Sequence, residues 1–544
     1  MKITKILILL IVIGITSCEV DYYEDPNEPV TTPPNTVFNH AVKQSMDHLN
    51  ALFFGGGRFS QVTMQYWQQS EYGDEDRYAY RESMREYFEQ FYYDLKNFKK
   101  VIELNVNDET REEASAYGDN DAQIACSRIM MAYLFNEMTN VWGPIPYWSY
   151  GGDDNEDFQA LELDSDDQII YPEYVTQEVI HGDILNELDE AYDQLEGTDG
   201  FVSGDRIYGG DTENWQKFAN SLRLRIALKI KDVDSELAQT HIDDVMADGD
   251  YISNHEESAV FVYGTSDKNS APYYYGVHVG NRDDFAVGNA FMTLLQGNDI
   301  VDMDGTSLTD NPFDGIEDPR IPIFAKPNPD GNYVGMPIAE DSDVAAQIDW
   351  KSRAGSAIDD KPDFPEVLME WAEVEFILSE LNDWDNEHYK TGVRANMERW
   401  NGVDEETDIS GEIDDFVDNQ LPDISELTGA EQEEHVLTQK YIALYMQANT
   451  AFTEYRRTGY PQTLVKPGDE YGVYDPAIDT IYGDASQEGA EPFVFNPIPD
   501  LTDLPNRMRY PSYEQTLNGT NYNEAREWLE NGDAQDSPLY WDLD

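Results

Sequence analysis

The sequence predicts a mostly α-helical fold. Two observations carry this reading: apolar residues recur at helical spacing in four long stretches, and extended segments rich in Gly, Pro, Asp, Asn and Tyr separate the helical regions. A side chain returns to the same face of a helix every three or four residues, so such spacing builds one continuous apolar stripe.

The first stretch runs over residues 120 to 139, where Ile124, Met131, Phe135 and Met138 share a face. The second covers 212 to 231; Asp211 or Thr212 can cap its start, and Trp215, Phe218, Leu222 and Ile226 form its stripe. The third, 366 to 381, presents Val367, Trp371, Val374, Leu378 and Leu381. The fourth, 431 to 457, presents Leu437, Tyr441, Leu444, Ala448 and Phe452. Further helices are expected near 36 to 52, 81 to 104, 173 to 195, 235 to 247 and 386 to 400. No strict 34-residue period links them, so a simple tetratricopeptide array is not established by repetition. The segments 142 to 170, 250 to 365, 401 to 428 and 458 to 522 read as irregular. Loops of this length are uncommon unless they bind something or stay unstructured.

The N-terminus has its own logic. Lys2 and Lys5 precede an apolar run from Ile6 to Ile15, and Thr16-Ser17-Cys18 follows. This run of about ten residues is far shorter than the roughly 20 that cross a bilayer as a helix, so residues 1–17 read as a secretory signal. The small residues before Cys18 make it a lipidation site and the first residue after processing. Several acyl chains hold a protein at a membrane, each buried methylene adding about 0.8 kcal/mol. Residues 18–35, with Asp25-Pro26-Asn27-Glu28-Pro29 and Pro33-Pro34, read as an extended flexible tether. Residues 36–544 form the folded part. The second cysteine, Cys126, lies in a helical stretch and is expected to be a buried small hydrophobe without a disulfide partner.

Charge sets limits on partners. With 35 Lys and Arg against 109 Asp and Glu, the formal net charge is −74. Such a field repels nucleic acid and anionic polymers and favours a neutral ligand. An acidic surface of this extent also fits salty water, where screening shortens the reach of self-repulsion. Catalytic signatures are lacking: there is no HExxH, GxSxG or phosphate-binding Gly-Lys-Ser/Thr motif. With acidic residues at a fifth of the chain, carboxylate pairs arise by chance and single out no glycosidase dyad. Asp302-Met303-Asp304-Gly305 has the wrong register for a calcium loop, which would need an acid at Ile300 and a Glu at Asn311. No metal, no cofactor and no catalysis are expected.

Several motifs in order resemble the SusD/RagB family of outer-membrane nutrient-binding lipoproteins. They are the tether Asp25-Pro26-Asn27; Asn140-Val141-Trp142-Gly143-Pro144-Ile145-Pro146-Tyr147; Trp215-Gln216-Lys217-Phe218-Ala219-Asn220-Ser221-Leu222-Arg223; Glu370-Trp371-Ala372-Glu373; Glu454-Tyr455-Arg456-Arg457-Thr458-Gly459-Tyr460-Pro461; and Pro505-Asn506-Arg507-Met508-Arg509-Tyr510-Pro511. The resemblance spans nearly the whole mature chain. It implies a single large SusD-like domain, mostly α, with TPR-like helix pairs packed against an irregular, loop-rich ligand-binding half. It also implies a cell-surface protein, lipid-anchored in the outer membrane, that binds glycan and hands it to a SusC-type TonB-dependent barrel. Arg456 and Arg457 are expected to pair with buried carboxylates or carbonyls rather than with ligand.

Sugars bind to proteins by stacking C–H faces on exposed rings, so the 12% aromatic content is compatible with glycan binding. Trp142 belongs to a family turn, Trp215 and Trp371 to core stripes, Trp384 and Trp400 to helices, and Trp528 and Trp541 to the C-terminal region. Elimination leaves Trp67, Trp148 and Trp350 as the expected platform, with Tyr72 beside Trp67 and Asn281, Arg282 and Asp283 as polar partners. Tyr273, in the triplet Tyr273 to Tyr275, is a further candidate. The expected ligand is a neutral oligo- or polysaccharide such as a β-glucan. A peptide-binding lid of the same family and a surface glycoside hydrolase are the rival readings.

Overall fold

The computed structural model describes residues 32–49, 56–81, 85–162, 171–403, 406–484 and 491–542. The signal segment 1–17, Cys18 and the tether as far as Thr31 lie outside the described residues. Pro34–Asp544 forms one compact unit.

Among the described residues, ten helices of ten or more residues build its frame: α1 (Pro34–Leu49), α2 (Arg85–Val106), α3 (Asn120–Trp142), α4 (Gln177–Leu195), α5 (Thr212–Ile230), α6 (Ser235–Asp248), α7 (Trp371–Leu381), α8 (Asn386–Val403), α9 (Gly429–Ala443) and α10 (Ala448–Thr458). From α1 to α6 each helix packs on the next, and α7 then packs on α8, α9 and α5. This row of successive helix pairs is the TPR-like part that the resemblance implies. Pro34 opens α1 and so lies inside a helix rather than in the tether. Proline is tolerated there because the first turn leaves its N–H groups unpaired in any case.

The stripes predict the positions well, and the exceptions have local causes. Asp211 caps α5 by accepting from the backbone N–H groups of Glu213 and Asn214. In α3 the residues from Ala122 to Trp142 are buried all round, since the helix lies between α2 and α4. The expected helix 366 to 381 starts only at Trp371. Pro365–Met369 instead forms a strand antiparallel to Ala259–Val262, and Glu370 is extended. The expected helix 431 to 457 divides into α9 and α10, with Met446 in the left-handed region between them. That turn brings Tyr441 and Tyr445 against the segment 64–67: Tyr66 stacks on Tyr441 at 4.5 Å, and the Tyr441 hydroxyl donates to the Met64 carbonyl at 2.6 Å.

The irregular segments supply the second half of the domain. Among the described residues, sheet structure is confined to five two-stranded antiparallel ladders. The short buried helix Asn289–Leu295 stitches this half to the frame, with Phe291 packed on Tyr66, Phe324, Tyr441 and Tyr445.

Buried ion pairs lock the helices. On α5, Arg225 donates from Nε and Nη2 to the two carboxylate oxygens of Glu373 on α7, at 2.6 and 2.5 Å, and from Nη2 to the Leu368 carbonyl at 2.9 Å. One turn on, Lys229 Nζ donates to the side-chain carbonyls of Asn136 and Asn140 of α3 at 2.6 Å each, and burial pulls this amine well below the usual lysine range. Arg457 of α10 forks onto Glu380 of α7 at 2.7 Å twice and reaches Glu454, which also accepts from Lys440 of α9 at 2.6 Å. These cations hold the Glu454 carboxyl far below the usual range despite its burial. Arg456 donates to the carbonyls of Phe452 and Asn506, and burial pulls its guanidinium down to about 9. Both arginines of the family motif therefore act inside the fold.

Leaving one member of a buried pair alone costs about 3–5 kcal/mol, whereas replacing both by apolar groups is often neutral. Glu373→Ala is expected to lower unfolding stability by that amount in urea titration. The double change Arg225→Met with Glu373→Leu should recover most of it.

Candidate functional site

The structure divides the expected platform. Trp67 lies in the strand Trp67–Gln69, paired antiparallel with Phe285–Val287. It is 1% exposed, and its indole N–H donates to the Tyr445 hydroxyl at 2.9 Å. Tyr273 is buried against it, ring centroids 4.8 Å apart. Trp148 is also buried: its N–H donates to Asp153 at 3.2 Å and the Lys99 ammonium covers its ring at 4.5 Å. Trp67, Trp148 and Tyr273 are thus core residues, a correction to the sequence reading. Each indole N–H finds a partner inside, so burying these large apolar rings carries no polar penalty. Trp350 is half-buried and gives one face to Tyr482, with ring centroids 4.4 Å apart and planes at 11°.

Tyr72 behaves differently. Its ring is 46% exposed and its backbone is left-handed, φ 64°. Gly73 follows because the turn presses on the neighbouring loop: a Cβ there would lie 2.3 Å from the Glu340 carbonyl oxygen. The Gly73 N–H donates to Ser342 Oγ at 3.1 Å. The turn therefore holds the ring outward on a fixed base.

Three guanidiniums frame that ring, Arg81 at 5.5 Å, Arg282 at 5.8 Å and Arg58 at 6.0 Å from its centroid. Each of them contacts a carboxylate, the three sharing Asp284 and Glu75. Arg58 donates to Asp284 at 2.6 Å, Arg282 Nε donates to both Asp284 oxygens at 3.1 Å, and Arg81 pairs with Glu75 at 2.7 Å. Exposed Asp283 accepts from Arg353 at 2.6 Å, and Arg353 is itself anchored by the Phe285 carbonyl at 2.7 Å and Ser70 Oγ at 2.9 Å. Asn281 is exposed in the same turn with φ 52°. The fold thus gathers Tyr72, Asn281, Arg282 and Asp283 as expected, and adds Arg81 and Arg353. Lys351, next to Trp350, is pulled down to about 8 by burial and by Arg353, and it also feels Asp283.

Beside Arg282 lies a groove of about 560 Å³, lined also by Lys43, His48, Gly276 and Tyr275. Tyr275 is 47% exposed. The turn Pro272–Tyr274 buries Tyr273 and directs Tyr275 outward. In the sequence the three tyrosines are adjacent and equivalent, and only the turn separates them.

Glu75, Asp283 and Asp284 are engaged by arginines, and Asp76 is buried, accepts from the Gln69 N–H at 2.5 Å and is pushed up to about 8 by desolvation. Elsewhere His278, Asp359 and Asp360 bring possible metal-ligand atoms together, but the Lys326 ammonium already pairs with both carboxylates at 2.5 and 2.8 Å.

Glu340, behind the Tyr72 turn, is pushed up to about 8 by burial and by Asp484 and Asp341. Its folded form keeps a proton that the unfolded chain releases above about pH 4.3. The folded state then binds more protons, so this group's contribution is full below that pH and is lost as pH rises toward 8. Glu340→Gln is expected to gain stability over the wild type progressively between pH 5 and 8 in urea midpoints. A constant difference across that range would refute the assignment.

The same fold recurs in solved structures. A protein titled as chitin-binding aligns over 94% of this chain and 100% of its own, with 19% identity and a TM-score of 0.68. A chitin-binding SusD homolog from Flavobacterium johnsoniae aligns over 93% and 99%, with 18% identity and a TM-score of 0.68. A SusD homolog from Bacteroides uniformis aligns over 94% and 100%, with 21% identity and a TM-score of 0.67. No curated protein sequence matches the chain. Residues 26–473 match the SusD-like family described as "Starch-binding associating with outer membrane", and the chain belongs to that family.

Proposed function

We propose that the protein is a cell-surface lipoprotein, acylated at Cys18, that binds neutral oligo- or polysaccharide without cleaving it and delivers it to a SusC-type TonB-dependent transporter. The observation that carries this reading is the exposed Tyr72 ring held among guanidinium–carboxylate pairs. A pyranose stacks its C–H face on such a ring, while Arg282, Asp283 and Asn281 offer donors and acceptors to its hydroxyls. Each nearby arginine is already engaged by a carboxylate, and the protein around the patch is strongly acidic, which supports hydroxyl groups over an anionic sugar as the ligand. Chitin is the ligand named for two of the structural relatives, starch for the family, and a β-glucan fits the same neutral class.

Affinity gel electrophoresis on starch, β-glucan and chitin derivatives tests the reading. Retardation by at least one neutral polymer is expected, with no new reducing ends after incubation. Release of reducing ends would establish a hydrolase instead. Tyr72→Ala is expected to weaken retention about tenfold, equivalent to roughly 1.4 kcal/mol. Trp148→Ala should lower thermal stability and leave retention per folded molecule unchanged.

A further inference from the structure

Two of the arginines that frame the Tyr72 ring each line a depression of their own. Arg282 belongs to the groove of Tyr275, about 560 Å³. Arg81, on the ring as well, lines a second groove of about 360 Å³ together with Tyr80, Ile498, Arg509 and Tyr510. Each volume falls in the range of about 300–1,000 Å³ that encloses a small ligand. A single sugar on Tyr72 would leave both empty.

The second groove is a fixed feature built where the C-terminal segment crosses the frame. The Met508 N–H donates to the Val141 carbonyl at 2.8 Å, the Tyr510 hydroxyl to the Pro144 carbonyl at 2.5 Å, and Gln535 Nε2 to the Tyr78 carbonyl at 3.1 Å. The Ile498 N–H donates to the Arg77 carbonyl at 2.8 Å, closing the other side. Over these walls Ile498 stays 49% exposed and Arg509 is exposed. An apolar surface and a cationic donor thus face water on a rigid base within an acidic protein.

Resting on the reading of Tyr72 as a sugar platform, we propose that the ligand is an extended, linear oligosaccharide that crosses Tyr72 and occupies both grooves. Tyr275 and Arg282 hold one end, and Arg509 and Ile498 hold the other. A chain that already lies on Tyr72 presents its far units to the grooves at high effective concentration, so affinity must climb with chain length.

Isothermal titration with dimers and hexamers of β-1,3-glucan, cellulose, starch and chitin separates the possibilities. In the series that binds, the hexamer is expected to bind at least tenfold more tightly than the dimer. Arg509→Ala should erase about tenfold of hexamer affinity while leaving the dimer unchanged, and Tyr72→Ala should weaken both. Equal affinity for dimer and hexamer, or a hexamer indifferent to Arg509→Ala and Ile498→Ala, would overturn the two-groove site while leaving glycan binding intact. No binding in any series, with the purified variants folded by circular dichroism, would overturn both this inference and the reading on which it rests.

Discussion

Buried hydrogen bonds and ion pairs made by basic side chains hold the frame in place. Arg225 and Lys229 stand one turn apart on α5, and between them they reach α7 through Glu373 and α3 through Asn136 and Asn140. A polar or charged group inside protein is tolerable only when its partners are correctly set. The pair therefore specifies how three helices meet, in a way that apolar stripes alone, which slide, do not. Arg457, Lys440 and Glu454 repeat the device between α7, α9 and α10. Arg320, forked on Asp318 and bonded to Asn396 and Gln439, ties the irregular half to α8 and α9.

This use of cations sharpens the acidity of the outside. Of 35 Lys and Arg, several of the most buried side chains are arginines, among them Arg58, Arg223, Arg320 and Arg507. Their acidic partners account for only a small part of the 109 Asp and Glu. The water-facing surface is thus richer in carboxylates than the composition implies, and a patch in which exposed rings meet arginines paired to carboxylates stands out against it. Repulsion across that surface also discourages anionic polymers.

Aromatic residues serve two ends here. Most form the core, where Tyr66, Phe291, Phe324, Tyr441, Tyr445 and Trp400 make one contiguous cluster at the junction of helices and loops. That junction is the foundation beneath the candidate site, because Trp67 lies in it and Tyr72 follows in the same segment. A rigid base lets an exposed ring keep one orientation without ligand, which reduces the ordering cost of binding.

By itself the sequence determined the helices. Their stripes, the Asp211 cap and the ordered family motifs record local spacing, and local spacing is what a helix obeys. It could not foresee that Pro365–Met369 would pair with Ala259–Val262, nor that the chain would turn at Met446, because both depend on partners far away in the chain. Of the residues expected at the candidate site, Tyr72, Asn281, Arg282 and Asp283 come together, while Trp67, Trp148 and Tyr273 do not reach the surface. Composition marks a ring as useful for binding or for packing alike. Only the tertiary structure decided between them, by providing Tyr445 and Asp153 as inner partners for two indole N–H groups and, at Gly73, a turn so close to Glu340 that Tyr72 is held facing water.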